Sequence, residues 1–468
     1  MPHTGSRPNV IWLFGDQHPS FMLSRHGDPN IRTPNLDAMA EYGVDFARAA
    51  ATCPLCCPAR ATLLTGRYPD HAAPSHNWGI PEGMPTLANV FEENGYDTAY
   101  FGKWHARGRK YRDAQGREVQ REVLRHPEAP DEPKRRECHD LVAREHRGGF
   151  RTWIGYENNN APFNCWAHGH RGEEEVGLAR LPKFETDAFA DMLIEYLGER
   201  RAAADGRPFF AAFSVQPPHD PYVAPEAFMR RHNPARLALR PNVPNVDWVQ
   251  ERARLEYAGA LALVENLDWN VGRVRQALVD LGLDTDTYVL FFSDHGDMHG
   301  SRGLFRKTNP YSESVDVPCL LAGGLETQGH VRKKVSQAPI GLVDLAPTTL
   351  GLCGIDVPDW MEGTDFSWEK TGAAPPSELP RESVICLPIP TGHGDSIDKA
   401  WYGIVTEDRW KYVCFEGREW LMFDLGSDPY EQVNLAHNSV FRERRRELNE
   451  RLRSRLEDLA VAFELPEL

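Results

Sequence analysis

The stretch NVIWLFGDQH, Asn9 to His18, decides the fold. Asn9–Phe14 is apolar and β-prone without polar alternation, the pattern of a strand buried on both faces of a sheet. Gly15, Asp16, Gln17 and His18 then fall at the strand's C-terminal end. Downstream, Thr33 and Pro34 open a helix as N-cap and first residue. Leu36, Met39 and Ala40 form its apolar stripe, and Gly43 is expected to stop it. The scheme repeats from Thr86 to Asn94, with Leu87, Val90 and Phe91 inward and Gly95 as terminator. Further buried strands are expected at Thr98–Phe101, Phe209–Ser214, Tyr288–Ser293 and Val317–Leu321, and Trp248–Leu281 reads as mainly helical. Strands alternating with helices imply an α/β fold: a large, mostly parallel sheet flanked by helices on both faces.

Two regions stand apart from this alternation. Ala106 to Glu175 is rich in charge, Gly, Pro and Asn without steady periodicity, which suits either a solvated surface insertion or a lid and pocket wall. Gly372 to Pro376 reads as a linker. Beyond it come strand candidates at Tyr402–Thr406 and Trp410–Phe415 and a charged amphipathic helix from about Phe441 to Phe463. The expected division is a main unit over 1–372, with its insertion at about 106–175, and a smaller C-terminal α+β domain over 373–468.

The chain has 468 residues, 41% of them hydrophobic, and a formal net charge of -15. That balance argues against nucleic acid or an anionic membrane as the main partner, but not against a small anion in a locally basic pocket. Met1 to Pro8 carries no apolar export segment, and no run of apolar residues is long enough to span a bilayer. The nine cysteines are odd in number and sparse, so thiols in a reducing, cytoplasmic setting are expected. Cys53 and Cys56 form a CxxC pair with no second pair, which argues against a structural zinc site.

The chemistry sits at the ends of the expected strands. Asp16 and Gln17 follow the first, Lys103 and His105 follow Thr98–Phe101, His219 and Asp220 follow Phe209–Ser214, and Asp294 and His295 follow Tyr288–Ser293. In open α/β sheets that edge is where sites assemble. Asp16, Gln17, Asp294 and His295 make a mixed, mainly oxygen donor set. Such a set suits a hard divalent cation: Ca²⁺ first, with Mn²⁺ or Mg²⁺ as alternatives.

A second cluster is Cys56-Cys57-Pro58-Ala59-Arg60, followed by Leu64-Thr65-Gly66-Arg67. Pro58 fits the first position of a helix, which places Cys56 beside an N-terminus that favours anions. Arg60 lies one turn along the same face, placed to support an ionised group made from Cys56. A cysteine-phosphatase loop is excluded, because Ala59, Thr62 and Leu63 stand where Cys53, Cys56 and Cys57 would each need an arginine.

Together these residues resemble the sulfatases of the alkaline phosphatase superfamily. Cys56-x-Pro58-x-Arg60 with Leu64-Thr65-Gly66-Arg67 resembles their signature, and Phe101-Gly102-Lys103-Trp104-His105 their Lys-x-His element. Ser293-Asp294-His295-Gly296, with Leu304-Phe305-Arg306-Lys307 and Tyr311, resembles their second metal segment and its downstream lysine. Phe423-Asp424-Leu425, Asp428-Pro429, Glu431 and Asn434-Leu435 resemble their C-terminal signature.

The resemblance implies an alkaline phosphatase-like fold and a sulfuric ester hydrolase. Cys56 would be converted to 3-oxoalanine (formylglycine) by a formylglycine-generating enzyme and, once hydrated, would bind the metal and attack sulfur. Arg60 would support the ionised diol, Lys103 and Lys307 would hold sulfate oxygens, His105 would take the proton that releases sulfate, and His219 would assist the leaving alcohol. The chain departs from the common pattern at Ala59, where many members have Ser, and at Gln17 and His295, where many have Asp and Asn. Phosphonate monoester hydrolases share Cys-x-Pro-Ala-Arg and the Gln/His choice, but usually carry Tyr-x-Thr where this chain has Lys103-x-His105. The expected substrate is therefore a small aryl, alkyl or sugar sulfate, with phosphonate or phosphodiester hydrolysis as the alternative. Candidate pocket residues are His76, Asn77, Trp78, Asn158 to Asn160, Trp166, His168 and His170. The insertion and the C-terminal helix are candidate surfaces for a homo-oligomer contact.

Overall fold

The computed structural model describes residues 7–127, 137–203, 205–324, 334–392 and 395–468. The N-terminal tip read above (residues 1–6) and residues 128–136 of the expected insertion lie outside the described residues. Strand β1 spans Asn9–Asp16 and β2 spans Gly43–Phe46. They are followed by β3 Asp97–Lys103, β4 Thr152–Tyr156, β5 Trp166–Arg171, β6 Glu174–Arg180, β7 Phe209–Pro218, β8 Thr287–Ser293, β9 Cys319–Gly323 and β10 Lys334–Ser336. These form a ten-stranded sheet in the order β6-β5-β4-β3-β7-β1-β8-β9-β2-β10. The central strands β4, β3, β7, β1 and β8 run parallel, while β5, β6 and β9 pair antiparallel.

β1 behaves as its continuous apolar run requires. Val10, Trp12 and Phe14 enter one core and Ile11 and Leu13 the other, all at most 3% exposed. Burying each such side chain contributes roughly 1.5–3 kcal/mol, so this strand anchors both layers. Helices α1 (Pro34–Glu41), α2 (Cys56–Thr65), α3 (Leu87–Glu93), α4 (Glu185–Ala203), α5 (Asp247–Asp280) and α6 (Leu345–Leu352) cover the sheet. Residues of α2, α3 and α6 pack on the Trp12 face, and residues of α1, α4 and α5 on the Leu13 face. Among the described residues, no helix is long and apolar enough to cross a membrane.

A four-stranded antiparallel sheet follows: β11 Glu382–Leu387, β12 Trp401–Thr406, β13 Trp410–Phe415 and β14 Arg418–Asp424. Helix α7 (Arg442–Asp458) covers one face through Leu448, Leu452 and Leu456. The other face meets the large domain, where Ile385, Leu387 and Trp401 pack with Ala50, Cys53, Leu55 and Val315.

Three local expectations change. Gly43 does not cap α1; it opens β2, where a Cβ would come 2.3 Å from Leu321 O. Thr33 does precede α1, but its hydroxyl donates to Asp37 Oδ1 at 3.3 Å and accepts from Ser24 N instead of capping an N–H of that helix. The segment 106–175 is only partly a surface insertion. Its second half supplies β4 and β5, with Trp153 fully buried, because these strands extend the main sheet through β3.

Candidate active site

The parallel register brings the donor residues to one sheet edge. Asp16 pairs with Pro218, Gly15 with Ser293, Gly102 with Ser214 and Lys103 with Tyr156. Gly102 is needed there: its φ is +116° and a Cβ would meet Ser214 O at 1.7 Å. The next residue, Lys103, thereby reaches Asp16, its Nζ donating to Oδ2 at 2.6 Å.

Helix α2 begins at Cys56, two residues before the expected start. Pro58 still lies in the first turn, where its missing N–H breaks no helical bond. Leu55 is extended, and Gly66 closes the helix in the left-handed region at φ 64°. Cys56 Sγ lies 3.1 Å from His295 Nε2, 3.5 Å from Asp16 Oδ1 and 3.0 Å from Lys307 Nζ. Ligand-type atoms of Asp16, Cys56, Asp294 and His295 all lie within 4.8 Å of one another, and all four residues are buried. Gln17, at φ 68°, donates its backbone N–H to Asp294 Oδ1 at 3.0 Å, and its side-chain oxygen accepts from Lys307 Nζ at 2.9 Å.

Arg60 is 1% exposed and fully engaged. It donates to Asp294 Oδ2 (3.0 Å), Asp16 Oδ2 (3.3 Å), Ser214 Oγ (2.7 Å) and Lys103 O (2.8 Å). The expected role put this guanidinium on the group made from Cys56. Its hydrogen bonds instead go to the two carboxylates beside Cys56, and only its field reaches the sulfur.

The cluster is electrostatically polarised. Burial pushes the Cys56 thiol up, but Lys307, Lys103 and His295 and a hydrogen bond from His105 bring it well below its ordinary range. Burial and the Cys56 charge raise Asp16, yet Lys103, His219 and Lys307 outweigh them and keep it a carboxylate. Burial and Asp16 together raise Asp294. Burial disfavours charge on His295, but Asp294 reverses the sign and raises it. The negative potential that holds a proton there would equally attract a divalent cation. With two carboxylates, an imidazole and an amide oxygen, the donor set fits a hard ion.

Gln17, Cys56, Lys103 and Lys307 of this cluster line a cavity of about 570 Å³, of which Asp16, Arg60, Asp294 and His295 are not lining residues. Gln17, Cys56, Lys103, His105, His219 and Lys307 lie among its lining residues, as do His76, Asn77, Asn158 and Asn160 from the sequence reading. The His76 and His105 rings meet edge to face at 4.7 Å. Five other candidates lie elsewhere, among them Asn159, which is buried and accepts from Ala161 N at 3.0 Å. Trp78 is buried, its ring carrying Lys110 and Arg112. Trp166 packs against His139 with the rings tilted by 40°. His168 and His170 lie in β5, where His168 accepts from Val142 N and His170 bonds Phe150 O and Arg147 from the preceding segment. Sequence reasoning missed Arg107, Arg109, Asp140, Glu157, Arg306, Asp395 and Ser396 as lining residues and named Asp220 only at its strand end. Arg306 adjoins the quoted lysine motif and Asp220 follows His219, so both carried a signal. Asp140, Asp395 and Ser396 carried none.

The family model described as "Sulfatase" matches residues 8–355, and one described as "N-sulphoglucosamine sulphohydrolase, C-terminal" matches residues 300–459. An ulvan-active sulfatase of Formosa agariphila is 31% identical, over 98% of this chain and 83% of its own.

The chain belongs to the sulfatase family.

It is a sulfuric ester hydrolase. An endo-4-O-sulfatase of Bacteroides thetaiotaomicron is 27% identical to the sulfatase over 92% of this chain and 88% of its own. A structure solved with its substrate D-glucosamine-2-N,6-O-disulfate superposes with a TM-score of 0.76 at 19% identity, covering 97% of this chain and 98% of that one. The phosphonate monoester hydrolase of Agrobacterium radiobacter superposes with a TM-score of 0.75 at 23% identity, covering 97% and 96%. At these identities the structural likeness is one of fold.

Proposed function

We propose that the sulfatase hydrolyses a sugar sulfate through a formylglycine made from Cys56 and one divalent ion. The observation that carries this is the position of Cys56. It lies on the cavity floor, within 3.5 Å of Lys307, His295 and Asp16, beside a buried donor set that fits a hard cation. Asp16, Gln17, Asp294 and His295 would hold the ion, which with converted Cys56 supplies a hydroxyl nucleophile of lowered pKa and neutralises sulfate charge. Ca²⁺ suits the oxygen-rich set first, with Mn²⁺ or Mg²⁺ next. A formylglycine-generating enzyme would be the maturation partner.

The surrounding residues supply the rest. Arg60 clamps Asp16 and Asp294 in position. Lys103 and Lys307 reach in from two sides and hold sulfate oxygens as charge shifts towards the leaving group. His105, hydrogen-bonded to Cys56, accepts the proton whose loss frees sulfate. His219, also in the cavity lining, protonates the departing alkoxide.

The wall supports a polyhydroxylated alcohol. Ligand pockets are mostly apolar, but among the described residues no aliphatic side chain and no Phe, Tyr or Trp lines this one. Asn77, Asn158, Asn160, Asp140, Asp220 and Ser396 offer hydrogen bonds instead. Ser396 comes from the unit expected over 373–468, so that unit completes a wall of the site that 1–372 carries.

Mass analysis of the Cys56 peptide from the native host tests the nucleophile, with an aldehyde or its hydrate as the expected species. An unmodified thiol in enzyme that releases sulfate would sink the proposal. Gln17, His295 and Ala59 favour phosphonate esters as a second reading. Comparing kcat/KM for a sugar sulfate, a nitrophenyl sulfate and a phosphonate ester decides between them.

A further inference from the structure

Gln17 holds a demanding position. A glutamine amide has a donor end and an acceptor end of nearly equal size, so its partners decide which end faces inward. Here they leave one choice. Nε2 donates to Asp297 Oδ2 at 2.5 Å and to the Tyr222 hydroxyl at 3.1 Å. The Tyr222 hydroxyl gives its own proton to Asp297 Oδ2 at 2.5 Å, leaving its lone pairs for Gln17 and for Arg306 at 3.1 Å. Asp297 is fully buried, and its second oxygen is occupied by the backbone N–H groups of His299 and Arg306, both at 3.0 Å. The acceptors therefore all lie on the Nε2 side, and the amide oxygen must face Lys307 and the Cys56 cluster.

We infer that Tyr222 and Asp297 are positioning residues that lock Gln17 with its oxygen towards the cation site, so that this position takes glutamine rather than the isosteric glutamate. A carboxylate at residue 17 would put its negative oxygens against the buried Asp297, with no donor between them except the one Tyr222 proton. The same device reaches the cavity. Arg306 lines the wall and contacts both Tyr222 and Asp220, so one hydroxyl joins the wall to the amide behind it. This inference rests on the divalent-ion reading above.

The test is calorimetric titration of Ca²⁺ and of Mn²⁺ into the purified enzyme and into Tyr222→Phe, Gln17→Ala and the double variant, with thermal melts as a folding control. Tyr222→Phe removes one hydroxyl and should weaken ion binding by about 10-fold or more, the usual cost of losing such an outer partner. In the Gln17→Ala background it should cost nothing further, because its effect passes through the amide. Asp297→Asn provides a second reading if Tyr222→Phe melts early, and should show the same loss and the same non-additivity. Unchanged ion affinity, or losses that multiply in the double variant, overturns the inference while leaving the ion reading intact. Wild-type enzyme that binds neither ion overturns both.

Discussion

Asp16, Asp294, Arg60 and Lys103 are buried and paired at the C-terminal edge of the large sheet, with buried Lys307 beside them on Cys56 Sγ and the Gln17 amide oxygen. Lys411 and Glu431 are equally buried at the seam with the small sheet, 2.6 Å apart and fully covered, with Glu313 paired to Arg240 nearby. By composition the two networks look alike. They differ in what they surround. Lys411, Glu431 and Glu313 of the seam network do not line the cavity above Cys56. The edge network is built around a thiol that it makes acidic, beneath a cavity. Buried charge therefore marks a site only where it acts on a reactive group that substrate can reach. Glu431, part of the sequence signature, belongs to the seam: it accepts from Ser312 N at 2.9 Å and pairs with Lys411.

Cys56→Ala breaks the contrast most sharply. Turnover should fall by roughly 10⁴-fold or more, since the nucleophile is lost, while the melting temperature stays near wild type. Residual turnover close to wild type would end the assignment. Lys411→Met strikes the other network. It leaves buried Glu431 with only the longer Arg302 contact at 3.8 Å and should cost about 3–5 kcal/mol in chemical denaturation, with kcat of the folded enzyme preserved. A stability change below 1 kcal/mol would mean that the seam pair behaves as a surface pair does. Lys307→Ala should lower kcat by about 10²–10³-fold, with little change in stability.

Glu185 sharpens the comparison, since it is buried behind the site without touching the cavity. Its carboxyl accepts from Gln216 N at 2.8 Å and Tyr156 Oη at 2.9 Å, and burial pushes its pKa from 4.5 up to about 7. The folded protein thus holds this proton more tightly than the unfolded chain. Stability from this group is full below 4.5 and is lost as pH rises towards 7. Across that window the loss is about 3 kcal/mol, and Glu185→Gln should remove it. Denaturation curves of both proteins at either end of the window measure this; a difference that does not grow with pH contradicts it.

Much of the architecture was legible because β1, β3, β7 and β8 are continuous apolar runs, and such runs can only be satisfied inside a covered sheet. The segment carrying β4 and β5 was opaque for the opposite reason. His168, His170 and Glu175 look solvated in sequence, and become strand residues only through partners such as Val142 N, Phe150 O and Arg147. β2 was hidden because it spans only Gly43–Phe46 and contains Asp45, whose charge is met by Arg25.

Cys56 and Cys57 mark where sequence stops. They are adjacent, both fully buried and in the first turn of one helix. Burial and Glu157 raise Cys57 well above its ordinary range, whereas the cations around Cys56 bring that thiol well below it. The sequence by itself determined which residue types stand at the strand ends and which motif surrounds Cys56, because those follow from local order and spacing. Only the tertiary structure decided which thiol is acidic, which end of Gln17 faces inward, and that Asp140, Asp395 and Ser396 share a wall. Those outcomes depend on Coulomb and hydrogen-bond distances between segments far apart in the chain, which no local pattern encodes.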